Sequence, residues 1–266
     1  MNPMIRKELR QRMRERRGWI LPSLYLLVQC AVVAFVYYEA STDLSDNVQG
    51  WYIGVELFLA AAYAQLVLLL FLAPIFSAGA LTVEKEQRTL ASLLTSLLRP
   101  SQIWWGKLVA SLAFVMLLLV AGLPVLSTVF AFGGVGPWEV AIATFTIVVI
   151  LATVSALSLY WSSVFRRSVH ATAVSYVSVV FMTVVTFLIF VLERTNRHVD
   201  AASWSGLPRY VKAPLYLNPI FFLTMSFVPK DQLYPEWVSC LIVFLVLGVV
   251  SALLTLWNLR RSGESL

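Results

Sequence analysis

Charged side chains make up only 13% of this 266-residue chain, against about a quarter in an ordinary soluble domain. Hydrophobic residues reach 59%. A water-soluble fold cannot carry so much apolar surface, because polar side chains must cover the area left facing water. The expected solvent is therefore lipid. Cysteine is equally scarce. Cys30 and Cys240 each sit in or beside an apolar run, which excludes a disulfide framework and the C-x-x-C spacing of a zinc site, and speaks against redox chemistry. There are only two histidines, His170 at the edge of one run and His198 in a loop, so no histidine pair is placed to hold a metal and no hydrolytic triad is assembled by sequence. The expectation is no catalytic residue, no metal and no cofactor on this chain.

Long hydrophobic runs are what the chain has in quantity. Crossing roughly 30 Å of hydrocarbon takes about twenty apolar residues in a helix, and six runs qualify, at about 19–38, 55–81, 108–131, 138–162, 169–192 and 237–257. A closed barrel would show short alternating segments, whereas these runs are continuous, as in Val115 to Val120. The fold class read from them is an all-α integral membrane protein with six transmembrane helices, organised as a single membrane domain over 1–266. The first run is too long for a secretory signal, and Tyr38-Glu39-Ala40 is a poor cleavage site, so it is read as the first span.

Fifteen of the twenty lysines and arginines fall in the N-terminal segment, the second loop, the fourth loop and the tail. The first loop has acids and no base. By the positive-inside rule both termini face the cytoplasm of a cell's inner or plasma membrane. The net charge of +6 is then topology and attraction to anionic lipid, with no nucleic-acid partner called for.

Four elements lie outside the spans. Residues 1–18 carry Ile5, Leu9 and Met13 on one face and arginines on the other, the pattern of a basic helix in the membrane interface or of a simple positive anchor. From Glu84 the second loop reads E-K-E-Q-R-T-L-A-S-L-L-T-S-L-L-R-P, with Leu90, Leu93, Leu94 and Leu97 on one helical face and Pro100 as its stop. That stripe must bury itself either on the chain's own helices and lipid or in a groove on a partner. Trp104 and Trp105 suit the interfacial belt. Gly106-Lys107 is no phosphate loop, because Ser101 stands where the first glycine is required and Leu108 where a hydroxyl is required. In the 193–236 loop, Ala213 to Val228 is apolar but too short to cross, and Asn218-Pro219 signals a helix start within it. Re-entrant helices or loop packing above the bundle both fit.

Polar groups inside the spans are few. Glu56, with Tyr52 and Tyr63 on its face, is either a satisfied interfacial carboxylate or part of a small polar site, and Gln29 and Gln65 are the deep amides. Ser155, Ser158 and Ser162 on the fourth span, and Ser168, Thr172, Ser175, Thr183 and Thr186 on the fifth, form hydroxyl stripes suited to helix packing. An ion-coupled carrier would want a midplane acid. None is present in the sequence runs.

The E-K-E-Q-R-T-L-A-S-L-L-T-S-L-L-R-P-S-Q-I-W-W-G-K-L segment, followed by A-G-L-P in the third span and set in this order of spans, resembles the type-2 permease subunits of ATP-binding cassette (ABC) exporters. The resemblance covers essentially the whole chain, departing from many members at Arg88, Ala91 and Ser96. It implies that residues 84–100 form a coupling helix, with Glu84, Glu86, Arg88, Thr89, Leu90, Leu93, Leu94 and Leu97 at the docking face for an ATPase subunit. It further implies two permeases, identical or related, with two ATPases that hold the ATP and Mg, and a re-entrant segment before the last span. Pairing of the permeases is expected through Gln29 of the first span and Thr172, Ser175, Thr183 and Thr186 of the fifth. Glu56, Tyr63 and Gln65 are candidates for the path. A scaffold or sensor that only tethers an ATPase is the alternative, with an ion-coupled carrier behind it.

Overall fold

Proline or glycine opens four of the helices in the computed structural model, where a missing N–H or a missing Cβ is tolerated. The structure describes residues 17–42, 50–88, 100–197, 209–227 and 230–264. Helix α1 spans Arg17–Thr42, α2 Gly50–Glu86, α3 Pro100–Ser127 and α4 Pro137–Val164, with a 3-10 turn at Thr128–Ala131 after α3. The fifth span is composite: α5 at Ser168–Val180, a π turn at Phe181–Val185 and α6 at Thr186–Arg197. Two short helices, α7 at Arg209–Leu215 and α8 at Pro219–Met225, precede α9 at Lys230–Glu264. Six helical stretches are long and apolar enough to cross a membrane, and no strand occurs among the described residues. The all-α six-span fold expected from the apolar runs is the one observed.

Two boundaries differ from expectation. Glu84, Lys85 and Glu86 do not open a new helix but form the last turn of α2, because the apolar run passes into them without a breaker. Pro100 does not merely stop a helix; it begins α3, eight residues before the apolar run proper. The expected coupling-helix residues Thr89, Leu90, Leu93, Leu94 and Leu97, and residues 1–16 of the expected interface helix, lie outside the described residues.

Helix α2 is the centre of the bundle. Its buried face is rich in small side chains, Ala61, Ala62, Ala73 and Ala78, which let neighbouring backbones approach where lipid supplies no hydrophobic drive between helices. Leu66 and Leu69 of α2, Leu118 of α3, and Ile147, Ile150 and Leu151 of α4 fill the interior with no exposure. Helix α9 seats on α4, where the Thr153 hydroxyl donates to the Phe244 carbonyl at 3.1 Å. A smaller cluster of Leu81, Trp104, Leu108, Ala156, Leu159 and Leu259 closes the end where Lys85, Lys107 and Arg166 lie, here called the basic end.

At the far end, Gly54 meets the turn between α3 and α4. A Cβ on Gly54 would stand 2.0 Å from the Gly133 carbonyl oxygen, so only glycine permits the contact. Gly133 and Gly134 turn the chain there with φ of 78° and 87°, a conformation open to glycine without strain. Helix α8 inserts Phe222 into the same end, stacked on Phe244 with ring centroids 5.1 Å apart.

Candidate functional site

Three consecutive side chains at the end of α2 reach three different helices. The Glu84 carboxylate accepts from the Lys107 ammonium of α3 at 2.7 Å, and that ammonium is almost wholly buried. Lys107 is the charged residue that is fully buried among those described, and the pairing is what makes its burial tolerable. The Lys85 ammonium donates to the carbonyls of Ser162 at 3.1 Å, Phe165 at 3.0 Å and Ser163, all at the C-terminal end of α4. Glu86 Oε1 accepts from the Ser168 backbone N–H at 2.6 Å and the Ser168 hydroxyl at 2.9 Å, at the first turn of α5.

Neighbouring groups tighten this end further. The Ser162 hydroxyl oxygen accepts from the backbone N–H groups of Leu81 and Thr82 at 3.0 and 3.1 Å. Asn258 of α9 donates its amide to Ser163 Oγ at 3.1 Å. Five of the six spans therefore meet at one polar cluster. Arg88, which follows, is exposed and holds φ at 57°, the left-handed conformation that commonly ends a helix and that glycine adopts most easily.

The other expected site residues are dispersed. The Tyr63 hydroxyl shares a 2.8 Å hydrogen bond with Thr224 Oγ1 of α8. Gln65 is buried and donates to the Leu119 carbonyl at 3.1 Å. Glu56 is half-buried nearer the far end of α2. These three share a helix but not one chamber, since Leu57, Phe58, Ala61, Ala62 and Leu66 pack the space around them.

Of the residues expected between permeases, three are buried within the chain: Gln29, Ser175 and Thr186. Gln29 is fully buried within the chain, where its amide and the Tyr25 hydroxyl converge on Gly122 of α3 with no hydrogen-bond partner among the described residues. Lipid offers an amide no hydrogen bond, and the small Gly122 gives it room inside. Ser175 and Thr186 are also buried. Their hydroxyls donate to the Ala171 and Met182 carbonyls of their own helix, which satisfies them and lets them pack inward. Thr172 and Thr183 are half-buried. The outward face of the fifth span is apolar instead, with Val177, Val180, Phe181, Val184 and Phe187 all exposed.

Sequence reasoning missed Lys107 and Ser168 as partners of the acids, and Lys85 as the partner of the carbonyls ending α4, although charges of the right sign beside helix ends were a usable signal. It also missed what Asn218 does. The Asn218 side-chain oxygen accepts from the Ile220 and Phe221 N–H groups, capping α8. Its amide donates to the Thr183 carbonyl at 3.0 Å and to Thr186 Oγ1 at 2.8 Å. At the π turn Phe181–Val185 the Thr183 carbonyl accepts the Thr186 N–H, and Asn218 docks on that same carbonyl. Nearby, Tyr216 donates its hydroxyl to Glu236, and burial pushes the Tyr216 pKa up.

No curated protein matches the chain. The family of proteins described as ABC-2 family transporter protein matches over residues 3–262. With a six-span helical bundle underlying a match of that length, the chain belongs to the ABC-2 transporter family and is a multi-pass membrane permease component of an ABC transporter.

Proposed function

We propose that this chain is the permease of an ATP-driven exporter, working as a pair of permeases served by two separate ATPase subunits. Both termini and the basic end face the cytoplasm of the cell's plasma or inner membrane, and the segment 89–99 docks on the ATPase. ATP and Mg sit on that partner, and this chain has no enzymatic activity of its own. The observation that carries the reading is the packed interior: Leu66, Leu69, Leu118, Ile147, Ile150 and Leu151 close the middle of the bundle completely. Such packing among the described residues disfavours a path through a single chain and supports a route for cargo along a seam between two chains.

The same packing argues against an ion-coupled carrier, because no acid lies buried in the bundle among the described residues. The seam is expected along the first and fifth spans, whose outward faces, like that of the last span, are little covered by other helices. Ile20, Leu24, Leu27 and Phe35 are exposed on α1, matching the apolar face of α5 and α6.

The test is reconstitution of the permease with its ATPase in vesicles, using fluorescent lipid analogues and labelled peptides as first probes. Vectorial movement that requires ATP supports the exporter. ATP hydrolysis with no probe ever moving favours a tethering scaffold, and movement without any ATPase favours a carrier.

A further inference from the structure

The turn between α4 and α5 is not capped from within. The Gly or Asn that commonly caps a C-terminus is absent, Phe165 instead following α4 in an extended conformation, and Arg167 precedes α5 with no side-chain hydrogen bond to it. A helix end left this way exposes carbonyls of partial negative charge at its C-terminus and N–H groups of partial positive charge at its N-terminus. Here the missing groups come from α2. Lys85, a cation, covers the carbonyls ending α4, and Glu86, an anion, covers the first N–H of α5. Each charge has the sign its helix end calls for.

We propose that Lys85 and Glu86 are caps supplied in trans, through which the end of α2 controls the fourth and fifth spans. Resting on the reading above, the inference makes them positioning residues for transport. The segment that meets the ATPase begins three residues after Glu86. When that segment is displaced, α2 carries Lys85 and Glu86 with it, and the facing ends of α4 and α5 lose their caps together. The first turn of α5 is then released from α2 while Glu84 keeps α2 on α3. A push at one segment thus reaches the composite fifth span, one of the two that face the proposed seam.

Hydrogen exchange at the backbone amides of residues 168–172 reads the cap directly. In the chain alone, in lipid nanodiscs, Glu86→Ala should speed exchange there by between about twofold and thirtyfold, the range expected for losing a helix cap. Arg167→Asp in that background should slow it again by providing a local cap. Unchanged exchange in Glu86→Ala would overturn the capping assignment without any ATPase being involved. In the wild-type complex with its ATPase, trapping with Mg·ATP and vanadate should raise exchange at 168–172. The Glu86→Ala, Arg167→Asp double variant, capped but unlinked from α2, should show no such response. A wild type that ignores the nucleotide, or a double variant that responds as fully as wild type, would overturn the control role. A wild-type chain that retains no ATPase would overturn the functional reading instead, and the capping would still be judged by exchange in the chain alone.

Discussion

Arg88 occupies a backbone conformation that costs a side-chain-bearing residue roughly 1 kcal/mol or more. It is also one of the positions at which this chain departs from many of the permeases it resembles. Arg88→Gly should therefore raise thermal stability by about 0.5 to 1 kcal/mol, the relief of strain being partly offset by a more flexible unfolded chain. If the guanidinium contacts the ATPase, the same variant should lower retention of the ATPase while melting later than wild type. The Glu84 and Lys107 pair makes the opposite case. Glu84→Gln takes the 2.7 Å carboxylate charge away from the nearly inaccessible Lys107 ammonium, which should cost about 3 kcal/mol, whereas removing both charges with Lys107→Met should recover most of that loss. Thermal denaturation of the two single variants and the double variant measures the coupling.

Among the elements, the fifth span and α8 stand or fall together. Asn218 joins them with four hydrogen bonds, two to α8 and two to the π turn and its successor. Asn218→Ala should cost about 2 to 4 kcal/mol, one cap plus two buried bonds. Hydrogen exchange should rise at 181–187 and 220–222 together, and a rise confined to α8 would mean that the π turn holds itself. Asn218-Pro219 was readable in sequence as a helix start because capping is local chemistry. The other two bonds were not, since they join Asn218 to Thr183 and Thr186, more than thirty positions away in the chain. The same distinction runs through the spans: their existence follows from apolar length, while the inward turn of Gln29 depends on Gly122, about ninety residues away.

For the whole molecule, the leucine stripe decides between a coupled permease and a self-contained bundle. If Leu93 and Leu94 fill a groove on the ATPase, Leu93→Ala with Leu94→Ala should remove roughly 2 to 5 kcal/mol of packing per buried leucine. The permease should stay inserted and paired but lose its ATPase on purification. A lower melting temperature with full retention of the ATPase would show that the stripe packs on its own bundle. What the sequence conveyed at this scale was solvent, span number and family. Which faces pair was not legible, because hydroxyl residues satisfied by their own helix, such as Ser175 and Thr186, read the same in sequence whether they face a partner or the core.

The three contacts made from adjacent positions by Glu84, Lys85 and Glu86 fix the rotational phase of α2. Each added residue turns a helix by about 100° and lengthens it by about 1.5 Å. Replacing one of the three undoes one contact, but a single alanine inserted between Thr82 and Val83 would swing all three away from their partners at once. That insertion should lower the melting temperature by more than any one replacement does, even though it removes no side chain. Along this stretch the spacing of the chain is under tighter constraint than the identity of its residues.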